Sequence, residues 1–131
     1  MRWEQVFAVF IVSHLVGDYL LQTEWQALNK RGGLSGGNRV SRRALLSHVV
    51  VYTLCFVPAL VWIVDRTSAL AIGLTALIFI PHLVQDDARA LMVWNQRIKG
   101  ATFEPGDTVY MAVDQSFHLI FLFGTALLAV S

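Results

Sequence analysis

Residues 13–22 read SHLVGDYLLQ and place ionisable side chains inside an otherwise apolar run. His14, Asp18 and Gln22 recur every four residues, so a helix stacks them on one face. The residues before and between them have the apolar character of a membrane span. An ionisable side chain in such a span is costly and therefore marks a candidate functional site.

The same motif recurs further along the chain. His82 and Asp86 repeat the His-Leu-Val-x-Asp pattern, and Asp114 and His118 carry the pair in reverse order. His48 is the fourth and last histidine, and the spacing of the four is nearly regular. This regularity predicts a duplicated helical hairpin, an internal repeat whose halves are related by an axis along the membrane normal.

The composition indicates a membrane protein. Of the 131 residues, 56% are hydrophobic and 15% are charged, whereas soluble domains have about 45–50% apolar and about 25% charged residues. The formal net charge of +1 and the clustering of the basic residues argue against a nucleic-acid partner. The single cysteine, Cys55, can form no internal disulfide.

Apolar runs separated by polar loops predict an all-α fold, an integral membrane four-helix bundle. Ser41 can cap the second helix and Pro58 should kink it. A tight turn is expected at residues 65–68, and Asp107 should cap the last helix. The chain is expected to form one domain over residues 1–131, with helices at about 4–28, 42–64, 69–96 and 108–130.

The distribution of charge predicts the topology. The first loop carries five basic residues and the third carries two, whereas the opposite side has only Arg2 and Arg66. The positive-inside rule then puts loops one and three in the cytoplasm and both termini outside. Two tryptophans fall near each predicted interface, which agrees with this orientation.

This topology predicts one polar cluster in the cytoplasmic half of the bundle. The aspartates of three helices lie nearer the cytoplasm, and their histidines lie about one turn, roughly 6 Å, deeper. A carboxylate facing lipid costs roughly 2.5–3.5 kcal/mol at mid-membrane, so these groups should face each other. Histidine nitrogens and carboxylate oxygens are ligands of zinc, manganese and iron. The predicted ligands of a divalent transition metal are His14, Asp18, His48 (at the cytoplasmic rim), His82, Asp86, Asp114 and His118.

Two interpretations of this cluster are open. If a metal binds, hydrolysis of a lipid-linked phosphate or ester is the most natural reaction, with Asp18 or Asp114 as base and Arg89 steadying an anion. The alternative is a hydrogen-bonded polar core in a non-catalytic accessory or structural subunit of a larger membrane complex. A cytoplasm-facing cavity that reaches the aspartates distinguishes them, because an enzyme needs one.

These motifs resemble those of a known family. Residues 14–22, with Lys30 after them, look like the opening signature of a bacterial membrane family catalogued as domain of unknown function 3307. Residues 46–48, 82–89 and 114–118 look like its remaining signatures, in the same order. The resemblance implies a small multi-pass protein of the bacterial cytoplasmic membrane with no established activity. Its expected partners are the lipid bilayer and a membrane protein or second copy.

The chain departs from that family pattern at one point and has one looser similarity. Asp87 stands beside Asp86 where an apolar residue would be more usual, which leaves open which carboxylate faces the site. The looser similarity, in the placement of His and Asp only, is to membrane-bound metal-dependent hydrolases of the YdjM type.

Overall fold

A computed structural model describes residues 1–64 and 69–131, and these residues lie in helices or loops, with no strand among them. The predicted turn at residues 65–68 lies outside the described residues. Helix α1 covers Trp3–Leu15 and continues into a π-helical turn, Val16–Leu20. The other helices are α2 (Glu24–Asn29), α3 (Arg39–Leu54), α4 (Val57–Ile63), α5 (Ala69–Asp86), α6 (Arg89–Arg97) and α7 (Thr108–Ala129).

Among the residues that the structure describes, three helical segments are long and apolar enough to cross a membrane, namely Arg39–Ile63, Ala69–Asp86 and Thr108–Ala129. Large apolar side chains cover their outward faces, where Ile72 is 70% exposed and Ile120 is 62% exposed. Contiguous apolar surface of this kind suits hydrocarbon rather than water. The three segments indicate a membrane protein.

The predicted bundle of four uninterrupted helices is not confirmed, and the first break lies inside the predicted helix 4–28. Thr23 and Gln26 form a capping box that starts α2 as a separate helix. The Gln26 backbone N–H donates to the Thr23 hydroxyl at 3.2 Å, and the Thr23 N–H donates to the Gln26 side-chain oxygen at 3.0 Å. Helix α1 has 13 residues and runs without a break into the five residues of the π-helical turn, and together they fall within the range of about 17–25 residues that a span needs.

The second break lies inside the predicted helix 69–96. Ala88 has a left-handed backbone with φ of 69°, a conformation that costs a non-glycine residue about 1–2 kcal/mol. Helix α5 therefore ends at Asp86, and α6 starts separately at Arg89. No glycine or proline stands at residues 87–88 to signal this break.

The second membrane segment differs from its prediction at the start and follows it at the kink. Asn38 caps it instead of Ser41, because the Asn38 side chain accepts a hydrogen bond from the Val40 N–H at 2.8 Å. The helix is interrupted after Leu54, and Pro58 lies in the first turn of α4. Proline fits there because the first turn needs no N–H donor from it.

The buried core has an apolar half and a polar half. Along α5 the buried positions follow a four-residue step from Leu74 and Ile78 to His82 and Asp86, so apolar and polar residues share one helix face. Helix α7 packs against α1 and α5, and α3 packs against α2 and α5. The apolar half comprises Val6, Phe10, Tyr52, Phe56, Ala59, Leu60, Leu74, Ile78, Leu122 and Ala126.

Gly17 lets the π-helical turn approach α3 closely. A Cβ at residue 17 would lie 2.8 Å from Tyr52 Cδ2 and 3.2 Å from Tyr52 Cα. We expect Gly17→Ala to lower the free energy of unfolding by about 1–3 kcal/mol, because Tyr52 must shift in a packed core. Chemical unfolding in mixed micelles measures the change.

Gly124→Ala on α7 is the matched control for that substitution. Nothing lies within 4 Å of a Cβ built at residue 124, and alanine is favoured over glycine in a helix by about 1 kcal/mol. The control should therefore be neutral or stabilising. Equal losses in the two variants would show that the approach at Gly17 does not limit stability.

Candidate metal centre

Four buried side-chain atoms from the π-helical turn, α3 and α5 converge at the polar end of the core. His48 Nε2 lies 3.1 Å from Asp18 Oδ1 and 2.9 Å from Asp86 Oδ2. His82 Nε2 lies 3.4 Å from Asp18 Oδ1 and 3.2 Å from Asp86 Oδ2. The two Nε2 atoms are 3.1 Å apart. We call these four residues the His/Asp cluster.

These separations match the ligand-to-ligand edges of a metal site. A tetrahedral zinc ion with bonds of about 2.0–2.1 Å has edges of about 3.3 Å. Hydrogen bonding alone explains this arrangement poorly, because a single N–H group can point straight at only one acceptor. His48 Nε2 has three polar neighbours within 3.1 Å. The His/Asp cluster could therefore hold a metal ion.

A second group shares Asp86 with the first. His118 Nδ1 donates to the backbone carbonyl oxygen of Asp114 at 2.8 Å, so its Nε2 carries the free lone pair. That buried Nε2 has no hydrogen-bond partner within residues 1–64 and 69–131 and lies 3.5 Å from Asp86 Oδ1. Asp86, Asp114 and His118 could hold a metal as well. Asp86 thus offers Oδ2 to one group and Oδ1 to the other.

His14 is the one predicted ligand that the structure leaves outside these two groups. Its Nδ1 lies 3.1 Å from the Tyr52 hydroxyl, and its Nε2 donates to the side-chain oxygen of Gln115 at 2.8 Å. The Gln115 amide in turn donates to Asp18 Oδ2 at 3.3 Å. His14 therefore binds Gln115, which in turn binds Asp18 of the His/Asp cluster. Since His14 and His82 have different surroundings, the duplicated hairpin is not confirmed.

His48 lies at the centre of the cluster and not at its rim. Its side chain is fully buried, and its Nε2 contacts the carboxylates of both Asp18 and Asp86. The rim position belongs to Asp114, whose side chain is 21% exposed, the most accessible of the three carboxylates. The two groups together contain Asp18, His48, His82, Asp86, Asp114 and His118.

Tyr52 is a site residue that the sequence reasoning missed. Its ring stacks on the His82 imidazole with centroids 3.4 Å apart and planes within 5°, which holds the plane of that ring. It is fully buried. Its position four residues after His48 on α3 puts it on the same helix face, and that spacing was the signal that could have found it.

Lys30 is the second missed residue. Its Nζ lies 2.8 Å from Asp86 Oδ2, and its side chain is only 13% exposed. The charge pattern used Lys30 only as one of the basic residues that place the first loop in the cytoplasm. Lys30 also follows the motif that resembles the family's opening signature, and this was the signal that could have found it. A buried lysine beside a carboxylate is a local positive charge at the cluster.

Asp87 anchors this loop over the cluster. Its Oδ1 accepts hydrogen bonds from the backbone N–H groups of Leu34 at 2.7 Å and Ser35 at 3.1 Å. Its carbonyl oxygen accepts from the Gly32 N–H at 3.0 Å. The Asp86-Asp87 doublet is thereby explained, since Asp86 faces the cluster and Asp87 faces the loop.

Arg89 does not take the predicted anion-steadying position. It is exposed and lines a separate surface depression beside α6, away from the polar cavity. An uninterrupted helix would have put Arg89 near Asp86, but the left-handed backbone at Ala88 breaks that register. The cations beside the site come instead from the first loop, as Lys30 and Arg31.

A polar cavity of about 350 Å³ reaches the cluster. Its lining includes all three site carboxylates and both loop cations. Arg31 lies over the ring of Tyr110, 5.6 Å from its centroid, which orients the guanidinium. The cavity that an enzyme would need is therefore present. The lining residues that bear on its chemistry are Asp18, Lys30, Arg31, Asp86, Tyr110 and Asp114.

Fold and site together define a small helical membrane protein with a buried His/Asp cluster beside a polar cavity. The chain belongs to the family described as Protein of unknown function (DUF3307), whose profile matches residues 6–130. No curated protein and no solved structure matches the chain. The looser similarity to YdjM-type hydrolases is not shown by these comparisons.

Proposed function

We propose that this protein binds a divalent transition metal (zinc, manganese or iron) through the His/Asp cluster. The observation that supports this most strongly is the convergence of four buried donor atoms with separations of 2.9–3.4 Å. Charge supports it too. The two carboxylates of the His/Asp cluster face the ammonium group of Lys30, so part of their negative charge is uncompensated when the histidines are neutral, and a divalent cation offsets it.

Metal analysis of the detergent-purified protein tests this proposal. Elemental mass spectrometry should find at least one zinc, manganese or iron per chain, or the apoprotein should take up zinc or manganese stoichiometrically. A protein that carries none and binds none when either metal is supplied would leave the polar-core interpretation in its place.

We further propose metal-dependent hydrolysis of a lipid-linked phosphate or ester. A bound divalent metal supplies Lewis-acid activation of water and of the substrate oxygen. Asp114 is the better placed base, because it is part-exposed and lines the cavity. It would take the proton as the water oxygen bonds to phosphorus or carbon, and it would return that proton to the departing oxygen as the old bond breaks. Asp18, the other candidate, has both carboxylate oxygens engaged by His48 and Gln115.

The second candidate function is a non-catalytic accessory or structural subunit of a larger membrane complex. The ion pair of Lys30 with Asp86 at 2.8 Å favours it, because this contact compensates a buried carboxylate without any metal. In that role the cluster specifies how the helices pack, and Lys30 closes it. The metal analysis above separates the two candidates.

We propose that the protein resides in the bacterial cytoplasmic membrane with both termini outside. The basic residues of the first and third loops support this orientation. In a Cys55→Ala background, a membrane-impermeant maleimide should label a Ser131→Cys variant in intact cells. It should label a Ser35→Cys variant only after lysis. Labelling of Ser35→Cys in intact cells, without labelling of Ser131→Cys, would reverse the topology.

A further inference from the structure

A second cavity, of about 400 Å³, lies on the surface formed by α5, α6 and α7, within the size range of small-molecule sites, about 300–1,000 Å³. One wall is made by Trp94 and Phe117, whose rings pack edge to face at 5.2 Å. Val84 and Phe121 are 43% and 48% exposed, so the cavity opens on the outer surface of the helices. We call it the apolar groove, lined chiefly by Ile80, Val84, Ala90, Trp94, Phe117 and Phe121.

The apolar groove and the polar cavity share part of their lining. Gln85 and Asp114 line both of them. The Gln85 amide reaches the Phe117 carbonyl oxygen at 3.5 Å, which places this shared wall between α5 and α7. The two spaces therefore adjoin at Gln85 and Asp114, so a lipid with its chain in the groove would have its charged end near the His/Asp cluster.

Among the charged groups of the polar cavity, the two loop cations are those that an anionic head group can contact, and the metal of the proposed function would offset the three carboxylates beside them. Lys30 and Arg31 both line the polar cavity, and ammonium and guanidinium groups are the usual partners of phosphate oxygens. The groove walls belong mainly to α5 and α7, two of the segments apolar enough to span a membrane. Hydrocarbon is the surrounding medium there, so a lipid chain can enter sideways without crossing water.

We propose that the apolar groove holds the hydrocarbon chain of an anionic lipid phosphate whose phosphate lies in the polar cavity near Lys30 and Arg31. This inference rests on the proposed function, because it names the substrate class of the same site. Specificity then has two sources. The two cations select the phosphate, and the groove selects a lipid over free phosphate.

Trp94 provides a direct reporter of the groove. A variant that keeps Trp94 and carries Trp3→Phe, Trp25→Phe and Trp62→Phe is placed in phosphatidylcholine nanodiscs. A few per cent of brominated-chain phosphatidic acid should quench Trp94 fluorescence saturably and several-fold more than brominated-chain phosphatidylcholine at the same fraction. A variant that keeps only Trp62, on α4 and outside the groove, should be quenched equally by both lipids. Equal quenching of Trp94 by the two lipids would overturn the proposal.

Two substitutions separate a specific site from general attraction of anionic lipid to basic loops. Arg31→Gln should reduce the preference for phosphatidic acid several-fold, whereas Arg97→Gln, an exposed cation at the end of α6 that does not line the polar cavity, should leave it intact. Ala90→Phe should block the groove and abolish the preference, while Ala8→Phe on the exposed face of α1 should not. Equal effects within either pair would contradict a built site.

Metal content measured on the same samples separates this inference from the proposed function. If the Trp94 reporter protein, without further substitutions, carries its metal but shows no preference for phosphatidic acid, the lipid site alone is overturned. A metal-free protein that still prefers phosphatidic acid at Trp94 would support the lipid site and overturn the metal proposal.

Discussion

Asp86→Asn is expected to abolish stoichiometric metal binding while leaving the protein folded. Asp86 is the one residue shared by both groups of candidate ligands, and each of its oxygens serves one group. Substitution of an outer residue at a metal site costs about 10–100-fold in affinity, so loss of this shared ligand should cost at least about 100-fold. Elemental analysis and zinc titration of the purified variant measure the loss.

Asp87→Asn is the matched control, because it makes the same chemical change at the adjacent residue. An asparagine oxygen can still accept the hydrogen bonds from Leu34 and Ser35, so the loop should stay in place and the metal content should be unchanged. If Asp86→Asn keeps the wild-type metal content, the His/Asp cluster is not the metal site.

Lys30→Met should make stability depend on metal. Without Lys30 the buried Asp86 carboxylate loses its cationic partner at 2.8 Å. Removal of one partner from a buried ion pair costs roughly 3–5 kcal/mol. We expect a loss of that order in the free energy of unfolding of the metal-free variant. Added zinc or manganese should restore most of it, because the metal replaces the missing positive charge.

Lys99→Met is the control for that substitution. Lys99, the other lysine of the chain, is exposed and lies over the Phe103 ring at 5.3 Å, a contact worth about 0.5–1 kcal/mol. Its loss should be small and independent of metal. The double variant Lys30→Met, Asp86→Asn should be more stable than Lys30→Met alone in the absence of metal. A Lys30→Met protein that is as stable as wild type without metal would show that this ion pair contributes little.

The sequence predicted which polar side chains lie close together. Six of the seven predicted ligands lie in the two groups, because a four-residue step along a helix puts His82 under Asp86 and His118 under Asp114. The cost of burying carboxylates in an apolar span predicted that they would face one another, and Asp18 and Asp86 do approach the same His48 nitrogen.

The helix breaks were much less predictable. Thr23 and Gln26 have the spacing of a capping box, but the predicted helix 4–28 ran through them. The break at Ala88 carries no local signal, since alanine is a strong helix former. It depends on long-range hydrogen bonds, because Asp87 binds the loop at Gly32, Leu34 and Ser35.

The sequence by itself determined the class of protein and the order of residues along each helix, because hydropathy and four-residue spacing are local properties of the chain. Only the tertiary structure decided which side chains meet. His48 became central and His14 peripheral because of how the π-helical turn and α3 pack, with Gly17 against Tyr52. Lys30 replaced Arg89 beside the carboxylates because a loop distant in sequence folds over the cluster. Both outcomes depend on contacts between residues far apart in the chain, which no local pattern encodes.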